Sequence, residues 1–92
     1  MTVRILYFAY FRERAGRASE DVSPPGDVTT VAQLMAWLAA RGEGREKAFT
    51  DAALVRVAVN QNYVKMDHPI RPGDEVAFFP PVTGGATGGG AA

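Results

Sequence analysis

Residues 30–42 carry the clearest helical period in the chain, and a lone amphipathic helix leaves few folds open. Thr30 is followed three residues later by Gln33, the spacing of a capping box. Val31, Leu34, Met35 and Leu38 then recur at helical intervals, and Arg41-Gly42 supplies a stop. A helix with one apolar stripe and no long helical companion must bury that stripe against a sheet. The expected class is therefore α+β, a mixed sheet of four to five strands crossed by one main helix.

The strands are read from apolar alternation. Val3, Ile5, Tyr7 and Ala9 alternate with Arg4, Leu6, Phe8 and Tyr10, an opening strand that is apolar on both faces. Arg12-Glu13-Arg14-Ala15-Gly16 is predicted as a turn. A short second strand is expected around residues 18–22, before the breaker cluster Ser23-Pro24-Pro25-Gly26-Asp27. One short helical turn fits residues 46–49. A strand is predicted over residues 54–59, a turn at Asn60-Gln61-Asn62, a short strand at residues 63–65 and a final strand at residues 75–79. The first and last strands are the most apolar, as central strands are. A β-grasp, with those two parallel and adjacent, fits this order and gives one domain over residues 1–79.

A chain of 92 residues is one small domain. Ten basic and ten acidic residues cancel, so no global field favours nucleic acid or an anionic membrane. Without cysteine there is no disulfide scaffold, thiolate nucleophile or Cys-type zinc site. No run approaches the ~20 apolar residues of a membrane span, and the N-terminus lacks the layout of a signal peptide. A soluble, cytoplasmic protein is expected.

Intrinsic chemistry is hard to find. His68, the only histidine, lies in Asp67-His68-Pro69 without a nucleophile or further metal ligands nearby, and reads as a surface turn residue. Glu20-Asp21 and Asp74-Glu75 read as solvated turn acids rather than catalytic pairs. Arg12 and Glu13 stand where a turn at a strand end can face a partner. Tyr7, Phe8, Tyr10 and Phe11 are expected to pack on the sheet. Trp37 fits either the core or a partner surface. The glycines from Gly84 to Gly90 lack the lysine and helix of a phosphate loop. The expectation is a protein with no active site and no bound cofactor of its own.

The C-terminal stretch has a different character. Pro80 and Pro81 have no N–H and a fixed φ, so they cannot extend a sheet ladder and instead direct the chain outward. The six residues from Pro80 to Gly85 reach roughly 20 Å when extended. Gly84 and Gly85 lack Cβ, so their backbone fits a channel that excludes side chains. Residues 80–85 read as an arm that presents a carboxylate to another protein.

Together these pieces make the chain similar to the small sulfur-carrier subunit of molybdopterin synthase, in the ubiquitin-like family that includes the thiamine sulfur carrier. The resemblance spans residues 2–85. It rests on Tyr7-Phe8-Ala9, Arg12-Glu13, Ala58-Val59-Asn60-Gln61, Asp67-His68-Pro69-Ile70 and the run Gly73-Asp74-Glu75-Val76-Ala77-Phe78-Phe79-Pro80-Pro81-Val82-Thr83-Gly84-Gly85. The resemblance implies that a ubiquitin-activating-like adenylyltransferase uses ATP and magnesium to adenylate Gly85. Sulfur donation then gives a thiocarboxylate, which the large subunit of molybdopterin synthase uses to build the dithiolene of the molybdenum cofactor. Adenylation answers a chemical need: a carboxylate with a pKa of about 3.5 is ionised at neutral pH and resists attack. Phe79, Pro80, Pro81, Val82 and Thr83 become the partner-bound arm, and Gly84 its clearance.

The chain departs from that pattern by continuing through residues 86–92, which makes the Gly85 carbonyl an amide. Three readings stay open: removal by a processing protease, a non-native extension, or a regulatory binding module whose tail is blocked. Delivery of sulfur to thiamine or cysteine synthesis is the alternative among carriers.

Overall fold

The computed structural model describes residues 1–81. Its five-stranded sheet has the order β2-β1-β5-β3-β4, with strands β1 Val3–Tyr7, β2 Ser19–Val22, β3 Arg56–Val59, β4 Asn62–Val64 and β5 Glu75–Phe79. The first and last strands lie side by side and parallel, Ile5 opposite Val76 and Tyr7 opposite Phe78. The neighbouring pairs β1–β2, β3–β5 and β3–β4 are antiparallel. This is the expected β-grasp. Helix α2, Val31–Arg41, covers one sheet face, and no helix among the described residues is long and apolar enough to cross a membrane.

The capping box forms as its sequence requires. The Gln33 N–H donates to Thr30 Oγ1 at 3.3 Å, while Gln33 Oε1 accepts from the Thr30 N–H at 3.3 Å and the Thr29 N–H at 2.7 Å. Val31, Leu34 and Leu38 are fully buried, and Met35 nearly so. They meet the inward residues of the sheet, Val3, Ile5, Tyr7, Val57, Val59, Val76 and Phe78. Each large apolar side chain enclosed in this way contributes about 1.5–3 kcal/mol.

Local chemistry explains where the elements depart from the sequence pattern. The segment predicted as a turn at residues 12–16 is the end of helix α1, Tyr10–Ala15, whose Phe11 and Ala15 are buried one turn apart. Gly16 stops it in the left-handed region, its N–H bonded to Arg12 O. The first strand ends at Tyr7 instead of running through Tyr10, because Phe8–Phe11 form a tight turn closed by Phe11 N–H to Phe8 O at 3.1 Å. Ala9 occupies the second position of that turn with φ 53° and ψ −132°, a region suited to glycine. Ala9→Gly is therefore expected to stabilise the domain by about 0.5–1 kcal/mol, read as a higher midpoint in chemical denaturation; an unchanged or lower midpoint would show that the turn stores no strain.

The strand predicted from residue 54 begins at Arg56. Asp51 Oδ1 accepts from the Ala53 N–H and Asp51 O from the Leu54 N–H, winding Ala52–Leu54 into a single 3-10 turn. Helix α3, Arg45–Ala48, takes the place of the helical turn expected at residues 46–49. Gly44 permits it to sit close to α1, since a Cβ there would lie 2.5 Å from Arg14 O. Asn60 and Gln61, both with positive φ, form the two-residue loop of the β3–β4 hairpin, so Asn62 belongs to the strand.

Candidate functional site

The face of the sheet opposite α2 carries no covering element among the described residues, and strand register arranges its side chains in rows. Nearest the end of β5 stand Arg56, Phe79 and Phe8; behind them come Tyr63, Ala58, Ala77 and Leu6; behind those lie Glu75, Arg4 and Asp21. Apart from Arg56, the first two rows form an apolar surface, with Phe8 49% and Tyr63 81% exposed. The rings of Tyr63 and Phe79 lie 5.5 Å apart. A shallow depression of about 380 Å³ runs over Leu6, Phe8, Ala58, Tyr63, Ala77 and Phe79. A larger groove of about 540 Å³ adjoins it, lined by Arg56, Tyr63, Lys65, Phe79 and Pro81 together with the β3–β4 segment that carries them.

Phe79 closes β5 and Pro80-Pro81 follow directly, all three half-buried. The arm is thus rooted at the apolar corner of the open face. The expectations for Val82, Thr83, Gly84, Gly85 and residues 86–92 lie outside the described residues. Arg12 and Glu13 are exposed on α1. His68 is half-buried, its N–H bonded to Lys65 O and its carbonyl to the Val31 N–H. No group of three His, Cys, Asp or Glu side chains that could hold a metal occurs among the described residues. Trp37 packs against the core with the Arg41 guanidinium 4.7 Å from its ring centre.

Two features differ from the sequence reading. Phe8 does not pack on the sheet with Tyr7 but faces outward beside Leu6; the two-residue period that buries Tyr7 also exposes Phe8. Glu20 is not a solvated turn acid. It sits on β2 facing the helix layer, where its carboxylate accepts the Tyr7 hydroxyl at 2.7 Å and a two-pronged contact from Arg45 at 2.6 and 2.9 Å. Arg45 is 2% exposed and also donates to Gly42 O and Glu43 Oε1. Arg17 adds a second cation 3.4 Å from Glu20.

Burial opposes the Glu20 charge, but the hydrogen bonds from Arg45 and Tyr7, with the charges of Arg45 and Arg17, outweigh it and bring its pKa down to about 2. Burial, reinforced by the Glu20 carboxylate, pushes the Tyr7 phenol up. Tyr7 in turn packs within 6.4 Å of both Phe78 and Phe49, and Phe49 meets Phe78 edge-on at 4.9 Å. The ionic cluster therefore fixes the strand end from which the arm departs. No local spacing links residues 20 and 45, so only the fold reveals it.

Comparison with known proteins agrees with this geometry. The ThiS family model matches residues 5–85. A molybdopterin synthase sulfur carrier subunit of Escherichia coli is 45% identical over 83 residues, covering 90% of this chain and 99% of that relative. The Haemophilus influenzae protein of the same name is 35% identical, with the same coverage. Among solved structures, a Pyrococcus furiosus chain provisionally designated subunit 1 of a molybdopterin converting factor superposes with a TM-score of 0.73 at 32% identity, covering 89% of this chain and 99% of that one.

Proposed function

The chain belongs to the ThiS family, and from that membership we propose that it is the sulfur carrier of a molybdopterin synthase. The observation that carries this reading is the placement of Phe79-Pro80-Pro81 at the exposed apolar corner of the sheet, in a chain whose family match ends at Gly85. The domain supplies no catalysis. It holds a stiff tether in place beside a docking surface, and the partner supplies the reactive centre.

In this reading, an adenylyltransferase joins the Gly85 carboxylate to AMP from ATP and magnesium, releasing pyrophosphate. A sulfur donor displaces AMP, leaving a thiocarboxylate. The open face then docks on the large synthase subunit, the arm enters its active site, and sulfur passes to the pterin precursor. Only a Gly85 with a free carboxylate can be adenylated, so residues 86–92 are removed first by a protease. The cytoplasm is the compartment consistent with ATP-dependent activation.

Intact-mass analysis of the protein isolated from its own host tests the proposal. A chain ending at Gly85, part of it carrying sulfur in place of one oxygen, is the expected result. Finding only the chain extended to Ala92 would contradict it and favour a binding module with a blocked tail. A mature thiocarboxylate that works only with a thiazole- or cysteine-forming enzyme would keep the carrier chemistry and change the pathway.

A further inference from the structure

The charges on the open face are unevenly distributed. At the corner far from the arm, Arg4 is neutralised by Asp21, Nε to Oδ1 at 3.1 Å. At the arm's corner, Arg56 is opposite Phe79 on one side, and continuing the β3–β4 register by one step brings Lys65 beside it on the other. Both cations are exposed, both line the 540 Å³ groove, and no carboxylate lines it with them. Neither takes part in an ion pair among the described residues. Like charges opposite each other on adjacent strands are unfavourable. The Arg56 guanidinium is nevertheless held in place, its Nη1 donating to Ala53 O at 3.1 Å and Val55 O at 3.2 Å.

We propose that Arg56 and Lys65 form a cationic docking pair that receives carboxylate side chains of the synthase large subunit next to an apolar side chain seated in the groove. The inference rests on the carrier reading above and extends it to the chemistry of the partner's surface. Charge complementarity selects the occupant. Two cations beside the apolar side chains of Tyr63, Phe79 and Pro81 suit an acidic and hydrophobic protein segment. A phosphate backbone has no use for those apolar side chains, and the chain's zero net charge gives it no longer-range attraction. Placed at the root of the arm, the pair would steer the partner to the side from which the tether must enter.

The test measures binding of the chain, in the form isolated from its host, to the purified large subunit of that host's molybdopterin synthase over a range of salt concentrations. The double variant Arg56→Gln/Lys65→Gln is expected to bind about tenfold more weakly at low salt and to show a flatter salt dependence. Lys47→Gln, which removes a cation from α3, is expected to behave as wild type. The melting temperature of the double variant should stay level or rise, because like-charged neighbours are removed. Wild-type affinity and salt slope in the double variant would overturn the docking pair while leaving the carrier function intact. Weaker binding accompanied by a lowered melting temperature would overturn it too, by making the pair structural. Failure of the wild type itself to bind would remove the carrier reading and this proposal together.

Discussion

Glu20→Ala is expected to lower the stability of the domain by about 3–5 kcal/mol, a large part of what a domain of this size possesses. The substitution strands the Arg45 guanidinium, 2% exposed, with Glu43 as its remaining carboxylate, and Glu43 itself stands largely in solvent. It also takes the acceptor from the Tyr7 hydroxyl. The melting temperature should fall on the order of 20 °C. Replacing both partners with apolar residues, Glu20→Leu with Arg45→Met, should recover much of the loss, because no buried charge is then left alone. A loss below about 1 kcal/mol for Glu20→Ala would show that water reaches the cluster and screens it.

The same carboxylate gives the protein an acid limit. Its pKa is lower in the folded chain than in the unfolded one, so its stabilisation is complete above about 4.5 and disappears as pH falls toward about 2. Thermal melts between pH 6 and pH 2 should show wild type losing stability over that window, and Glu20→Gln should have a flatter profile there. Equal slopes for the two proteins would assign the acid response to other groups.

The second large effect is functional and leaves the fold untouched. In the processed protein, Gly85→Ala is expected to leave the melting temperature unchanged, since the hydrophobic core among the described residues runs from Val3 to Phe78 and is untouched by the substitution. Transfer of sulfur should nevertheless slow by about a hundredfold, the order of loss that follows when a reacting group is displaced by about 1 Å. Single-turnover formation of product from a preformed thiocarboxylate isolates this step from adenylation. Equal rates for the two proteins would rule out a narrow partner channel as the reason for glycine at this position.

How much of this could be read from the residues varies with the range of the interactions. The α2 helix, its cap and its Gly42 stop were legible because each signal lies within a few residues of its effect. The parallel pairing of β1 and β5 followed from two highly apolar strands at opposite ends of a chain with one main helix. The end of the last strand at Phe79 was legible from Pro80-Pro81, because proline acts on the backbone directly. Helix α1 was missed because charged Arg12, Glu13 and Arg14 obscure the buried pair Phe11 and Ala15. The start of β3 was misplaced because the Asp51 turn overrides the strand preference of the residues after it. The Tyr7–Glu20–Arg45 cluster and the outward rows of Phe8, Tyr63 and Phe79 join residues far apart in sequence. They become visible only once the strands are in register.

The parallel seam between β1 and β5 also sets a condition on when the open face is assembled. Strand β5 is the last to leave the ribosome, and it is the one that joins the β1–β2 hairpin to the β3–β4 hairpin. Until it inserts, the two halves of the sheet share no ladder, and Phe78 cannot reach Tyr7 and Phe49. A nascent or partly unfolded molecule would therefore lack the open face and the strand end that Pro80-Pro81 follow. In the proposed carrier role, the topology would act as a checkpoint, since only finished molecules present that surface to a partner.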